Sequence, residues 1–91
     1  MYVTVLFLVP PAEGAHVNDA RLTDAFWAHA QPGDRLEHLH VRREDECVRL
    51  TLFTMGESQE RSQERARATC RRILRTAKTL RNWRLKEPDR L

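Results

Sequence analysis

The sequence lacks the motifs that mark several large classes of enzyme and binding protein. Its three glycines form neither a dinucleotide-binding nor a phosphate-binding loop, and it contains no HExxH pair and no EF-hand loop. Nucleotide-dependent, zinc-protease and calcium-dependent functions therefore have no motif here. The two cysteines, Cys47 and Cys70, are not in CxxC spacing, which favours reduced thiols over a disulfide framework and leaves a single bridge between them open.

Long apolar runs are also missing. The longest, Tyr2 to Val9, is far shorter than the roughly 20 residues that a membrane span needs, and no basic segment precedes it. We interpret it as a β-strand, and we expect no membrane partner and a cytoplasmic location. The composition, 41% hydrophobic and 32% charged, fits one small folded domain over residues 1–91. A chain this short buries only about 60 to 65% of its unfolded surface, so pairing with a second copy would help it.

Positive charge is confined to one part of the chain. Residues 1–56 carry a net charge of −3, whereas residues 57–91 carry +6. Fourteen of the sixteen cationic residues are arginine. This bias fits phosphate recognition, since arginine binds phosphate in a bidentate manner, and it fits a GC-rich genome equally well.

Hydrophobic periodicity and capping residues predict the order of the elements. An apolar strand at the start is followed by a helix that Asn18 caps, and Ser58 caps a second, longer helix from about Gln59 to Arg81. Between the helices lie two strand-like runs, Leu36 to Arg42 and Cys47 to Met55, joined by a four-residue hairpin loop. The short segment at residues 83–87 is either a last strand or a helix end.

This order predicts an α+β protein with a ferredoxin-like split βαβ arrangement. The elements follow the order β-α-β-β-α, with a possible short last strand. The strands form an antiparallel sheet, and both helices pack on one face of it. The first strand is then central, and its nearly continuous apolar sequence predicts that the uncovered side of the sheet is also apolar. We expect that side to form a homodimer interface. We assign to the interface Leu6, Leu8, Leu36 and Phe53.

The two histidines in LEHLHVRRED, residues 36–45, are candidates for chemistry because they point to the same side of a strand. Pairing Val41 with Val48 puts Arg49 opposite His40. Cys47 lies on the same face, diagonal to His40, and is a possible third ligand for a metal ion. The cation opposite His40 disfavours a metal ion, and no fourth ligand is evident, so we expect no metal and no cofactor. If the protein is an enzyme, the catalytic residues are His38, His40 and Arg49.

The long helix carries the other candidate feature, a basic stripe opposite its apolar face. Arg71, Arg75 and Lys78 of this stripe have no acidic residue three or four positions away, so the neighbouring cations repel each other without local compensation. Phosphates, the carboxylates of an acidic protein partner, or solvent alone would compensate for this repulsion. We assign to anionic-partner binding Arg67, Arg71, Arg75 and Lys78.

Three functions follow, in order of preference. The first is a small non-catalytic binding or regulatory module that homodimerises through the open side of its sheet and engages a protein partner or a small ligand. The second is a small cofactor-free enzyme that resembles the dimeric α/β-barrel enzymes in architecture only, with a pocket between sheet and helices. The third is a nucleic-acid-associated protein that uses the arginine-rich helix without sequence readout, and it is the least favoured.

Overall fold

The computed structural model describes residues 1–12 and 17–86 of the chain. It shows an α+β protein with two helices and a four-stranded antiparallel sheet whose strand order is β2-β3-β1-β4. The arrangement is compatible with a ferredoxin-like fold. The elements are β1 Tyr2–Val9, α1 Asp19–His29, β2 Leu36–Arg43, β3 Val48–Thr54, α2 Gln59–Thr76 and β4 Arg84–Leu85, with short 3-10 turns at Pro32–Asp34 and Lys78–Leu80.

The sequence left open whether the segment at residues 83–87 is a strand or a helix end. Residues Arg84 and Leu85 form β4, which pairs with the end of β1 on the side away from β3. The element order therefore gains a final strand, and β1 lies between two neighbours, as its apolar sequence predicts. Residue 87 lies outside the described residues.

Both helices pack on one side of the sheet, which we call the covered face. The apolar stripes of α1 and α2 meet the inward side chains of the strands and form one core. Trp83 and Leu80, which follow α2, close this core beside β4. The largest apolar side chains that are fully buried are Leu8, Leu22, Phe26, Leu50, Leu52, Ile73 and Leu80.

The predicted placement of Leu6 and Leu8 on the uncovered side is wrong. Both are buried in the core, where Leu6 lies opposite Leu50 and Leu8 opposite Val48. Every residue from Val5 to Val9 is apolar, so alternation within this strand could not identify its inner side. Pairing with β3 decides it, because residues directly opposite each other in a sheet share a face.

Leu36 is also misplaced by the prediction, for a different reason. The pairing of β2 with β3 shifts between Leu36 and His38, so Leu36 packs against the core while His38 stays on the uncovered side. The hairpin register differs as well: Val41 pairs with Leu50 rather than with Val48. A shift of two residues keeps the side chains from His38 to Arg42 on their predicted faces but moves Arg49 from opposite His40 to opposite Arg42.

The helix starts are confirmed. The side chain of Asn18 accepts a hydrogen bond from the Arg21 backbone N–H (2.9 Å), and Ser58 accepts one from that of Arg61 (3.2 Å). The predicted end of α2 is wrong, because the helix stops at Thr76 instead of Arg81. Ala77 is extended, and Asn82, with φ of 69°, reverses the chain so that β4 can reach β1. Long-range pairing thus shortens the helix.

Candidate functional site

The side of the sheet away from the helices, which we call the open face, is apolar at its centre. Val3 and Val5 of β1 are 44% and 47% exposed, although they belong to a central strand. Their partners on β3 are Phe53 and Thr51, both half-buried. Of the four predicted interface residues, only Phe53 lies on the open face. The face comprises Val3, Val5, Phe7, Val9, His38, His40, Arg42, Arg49, Thr51, Phe53 and Arg84.

The two ends of the open face differ in charge. At the hairpin end, Arg49 stands over the Phe7 ring, with its guanidinium carbon 5.8 Å from the ring centroid, and forms an ion pair with Glu44 at 2.6 Å. Arg42 lies opposite Arg49 and adds a second cation there. At the other end, the rings of His38 and Phe53 are tilted by 56° with centroids 5.5 Å apart. One end is therefore basic and the other aromatic.

The candidate catalytic residues His38, His40 and Arg49 do lie on the same face, as predicted. His40 lies opposite Thr51 and not Arg49, so the imidazole and the guanidinium are not cross-strand partners. The helices cover the other face, so these three side chains do not line a space between sheet and helices. Within residues 1–12 and 17–86, no group of three or more histidine, cysteine or acidic side chains is placed to hold a metal ion.

The predicted basic stripe is divided by the end of α2. Arg67, Arg71 and Arg75 lie on the helix, whereas Lys78 belongs to the following 3-10 turn. Arg71 and Arg75 line a cleft of about 300 Å³ beside β4. The apolar stripe that positions them, Ala66, Cys70, Ile73 and Ala77, is buried as predicted.

An ion-pair network that the sequence did not reveal joins the start of β2 to α2. Asp34 is buried and accepts two hydrogen bonds from the guanidinium of Arg72, at 2.8 and 2.7 Å. Thr69 Oγ1 and the Gln31 backbone N–H also donate to this carboxylate, at 2.9 and 2.8 Å. Arg72 further donates to the backbone oxygen of His29 (3.0 Å), so it ties the end of α1 to α2 as well.

This network changes the acidity of its members. The hydrogen bonds from Arg72 lower the pKa of Asp34 from 3.8 to about 2, against the opposing effect of burial, and the Gln31 and Thr69 donors add to the lowering. The pKa of Arg72 is raised by the same carboxylate. Because every contact is internal, the network fixes the fold and leaves no ligand position on Asp34. In the sequence, Asp34 follows Pro32-Gly33 and indicates only the end of a helix. No local pattern predicts its ion pair with Arg72, which lies 38 positions away.

Neither helix among the described residues is long and apolar enough to cross a membrane. No protein-family model matches the chain, and no curated protein or solved structure is significantly similar to it.

Proposed function

We propose that the protein is a small non-catalytic binding module with a ferredoxin-like fold that homodimerises through the open face of its sheet. The observation that carries the proposal is the exposure of Val3 and Val5 in the middle of a central strand, next to Phe7 and Phe53. Alternation along β3, in contrast, places polar Arg49 and Thr51 on this face, as expected for a strand that meets water.

The apolar centre of this surface suits a second copy of the chain. From strand spacing and rise, the three long strands span roughly 350 Å² of sheet, whose apolar part is an exposed cluster of the kind that marks interaction sites: Val3, Val5, Phe7, Val9 and Phe53. A chain of 91 residues gains proportionally more from such burial than a larger one. A twofold axis also lets one patch serve both partners, so no separate complementary surface is needed.

The charge distribution selects one orientation of the two sheets. A twofold axis that runs across the strands near Val5 places the basic end of one open face over the aromatic end of the other. Arg49 then meets the partner's Phe53, and Arg42 meets the partner's His38, which keeps the arginines apart and allows a cation–π contact between Arg49 and Phe53. An axis along the strands would stack the arginines on each other.

Light scattering coupled to gel filtration tests the proposal. At tens of micromolar we expect twice the chain mass of 10.7 kDa. Val5→Arg should yield monomers, because it places a cation in the apolar centre. Trp27→Arg is the matched control: Trp27 is 42% exposed, but it lies on α1, on the opposite side of the sheet from the open face. A wild-type protein that stays monomeric would contradict the proposal, as would equal effects of the two substitutions.

The two alternative functions gain less from the geometry. An enzyme that uses His38, His40 and Arg49 would need its pocket on the open face, where these side chains meet solvent. Nucleic-acid binding would need a continuous basic stripe, and the end of α2 at Thr76 interrupts it before Lys78. An acidic protein partner remains a proposal for the arginines of α2.

A further inference from the structure

Two histidines lie next to each other on the open face, on the edge strand β2. His38 and His40 are both exposed, and their cross-strand neighbours on β3 are Phe53 and Thr51. Neither imidazole forms a hydrogen bond or an ion pair with any residue in the part of the chain that the structure describes. In a single copy of the chain, both side chains can therefore take up a proton from solvent without breaking a hydrogen bond.

In the proposed dimer, on which this inference rests, the histidines of β2 face β2 of the partner. The twofold axis crosses the strands at Val5, and Val5, Thr51 and His40 lie at one level because each is the cross-strand neighbour of the next. Rotation about this axis places each strand over its own copy with reversed direction, and facing sheets are about 10 Å apart, so their side chains meet. His40 therefore faces the partner's His40. His38 faces the partner's Arg42, because the two lie two residues from His40 in opposite directions.

The charges of the same chain act on the histidines in the monomer and in the dimer alike. Arg35, Glu37 and Arg42 flank the histidines in sequence, and Arg49 on β3 is bound to Glu44. All of these groups belong to the same copy, so dimer formation does not bring them closer to the imidazoles. The side chains of α1 and α2 pack on the covered face, and the sheet separates them from the histidines. Only the partner can therefore make the proton affinity of the dimer differ from that of the monomer.

The partner adds positive charge beside the histidines. The partner's Arg42 lies over His38, whereas the partner's Glu44 is held by the partner's Arg49, as in the first copy. The hairpin tip, which carries Asp45 and Glu46, begins three residues beyond Arg42, or roughly 10 Å farther along the strand, where salt with a screening length of about 8 Å weakens its charge. A proton on His38 therefore meets a guanidinium in the dimer, and a second proton on the facing pair of His40 side chains meets another imidazolium.

We propose that pH controls this dimer through His38 and His40, whose protonation separates the two copies. A neutral imidazole has an unprotonated nitrogen that can accept a hydrogen bond from a guanidinium, whereas a protonated imidazole has only donors. The dimer therefore binds protons less tightly than two monomers do, so protons favour the monomer. Because imidazoles in water gain a proton near about pH 6.5, the dimer is stable above about pH 7 and weakens as the pH falls through about 6.5. Two histidines from each of two copies allow an uptake of at most four protons on dissociation.

Sedimentation equilibrium at several protein concentrations, at about pH 7.5 and at about pH 5.5, tests this proposal. We expect the dissociation constant to be at least about tenfold larger at the lower pH, because partial exclusion of several protons is enough for that factor. The pKa of Asp34 is about 2, so its ion pair persists at about pH 5.5 and the fold stays intact, which circular dichroism verifies. A wild-type monomer at about pH 7.5 would overturn the dimer and this proposal together, whereas a dimer with equal constants at both pH values would overturn only the control by pH.

Substitutions show whether these two histidines carry the effect. In the double variant His38→Gln/His40→Gln the rise should be lost, because glutamine forms hydrogen bonds but does not titrate. His29→Gln is the matched control: His29 lies at the end of α1, on the other side of the sheet, so the full rise should remain. Each variant is judged by the ratio of its own constants at the two pH values, so a change in its affinity at neutral pH does not enter. Equal ratios in the two variants would show that general acidification weakens the dimer and would overturn the proposal.

A second pair of variants tests the cation that faces His38. Arg42→Gln should reduce the rise at least about threefold, because the guanidinium that opposes the proton is then missing. Arg43→Gln removes the next cation along the strand, but Arg43 lies opposite buried Val48 and pairs with Asp19 (3.2 Å), so the rise should remain. Raising the salt from about 0.1 to about 1 M should also reduce the rise, since the screening length falls from about 10 to about 3 Å. A rise that persists in Arg42→Gln and at high salt would contradict the proposal.

Discussion

The two faces of the sheet are built from similar side chains in β1 but end in opposite environments. Leu6 and Leu8 are at most 5% exposed on the covered face, whereas Val3 and Val5 are nearly half exposed on the open face. The inner side of β1 is set by its partner, because β3 alternates apolar and polar residues along its length. A central strand that is apolar on both sides thus takes its orientation from a neighbour that is not.

The ion pairs on the two sides of the sheet also differ in their exposure to solvent. The Asp34–Arg72 pair near the core has side chains that are 7% and 26% exposed, and three further hydrogen bonds surround it. The Glu44–Arg49 pair on the open side is 32% and 42% exposed. Solvent screens the second pair more than the first, so the same kind of ion pair stabilises the fold less on the open side.

The largest expected effect separates the two faces directly. Leu8→Ala should lower the free energy of unfolding by about 3 kcal/mol, because it leaves a cavity in a core that cannot collapse fully. Val5→Ala on the open face should cost below about 1 kcal/mol in the monomer. Urea unfolding at submicromolar concentration, where dimer is minimal, measures both. Equal losses would mean that the open face is covered within the monomer.

The second expected effect compares the two ion pairs. Asp34→Asn should cost about 2 kcal/mol near neutral pH, since the lowered pKa of Asp34 means that folding favours its ionised form. Glu44→Gln, the control on the open side, should cost about 0.5 kcal/mol. The measurement is again urea unfolding of the purified variants. A loss for Glu44→Gln as large as that for Asp34→Asn would refute the difference in screening.

The pH dependence of this effect follows from its sign. The pKa of Asp34 is lower in the folded state, about 2, than its ordinary value of 3.8. The stabilisation is therefore complete above about pH 5 and is lost as the pH falls through about 2. The difference between wild type and Asp34→Asn should shrink from about pH 5 downward and vanish only below about pH 2. A difference that stays constant between about pH 5 and pH 2 would show that the carboxylate is not stabilised by Arg72.

Features that depend on local chemistry could be predicted from the sequence. Asn18 and Ser58 cap the helices because their side chains accept backbone hydrogen bonds within one turn. The buried stripe of α2 recurs at the helical period, and the polar side of β3 identifies the open face on that strand. These observations suffice for the order of elements and for the place of Phe53 and the two histidines.

Features that depend on distant residues could not be predicted in this way. The end of α2 is set by the need of β4 to reach β1, and the position of Leu36 is set by an irregular pairing with β3. The cleft beside β4 combines α2 with a strand of only two residues, so no sequence pattern predicts that Trp83 lines it. Arg75 was identified from its charge, but its apolar neighbours became visible only in three dimensions.

The smallest expected effect concerns how tightly the covered side is packed at its edge. A Cβ atom added at Gly56 would clash with Ser62 Oγ, whereas one added at Gly33 would meet nothing within 4 Å. Ser62 is fully buried, so its hydroxyl has little room to move. Gly56→Ala should therefore cost about 1 to 2 kcal/mol, and Gly33→Ala should be close to neutral.

Ser62→Ala supplies the decisive variant for this comparison. It removes the Oγ atom that obstructs position 56, and that atom has no hydrogen-bond partner within the described residues, so the single substitution should cost little. In the double variant Gly56→Ala/Ser62→Ala, the cost of the added methyl group should fall below about 0.5 kcal/mol. Additive effects in this double-mutant cycle, measured by urea unfolding, would instead show that Ser62 Oγ is not what obstructs position 56, because its removal would then have changed nothing.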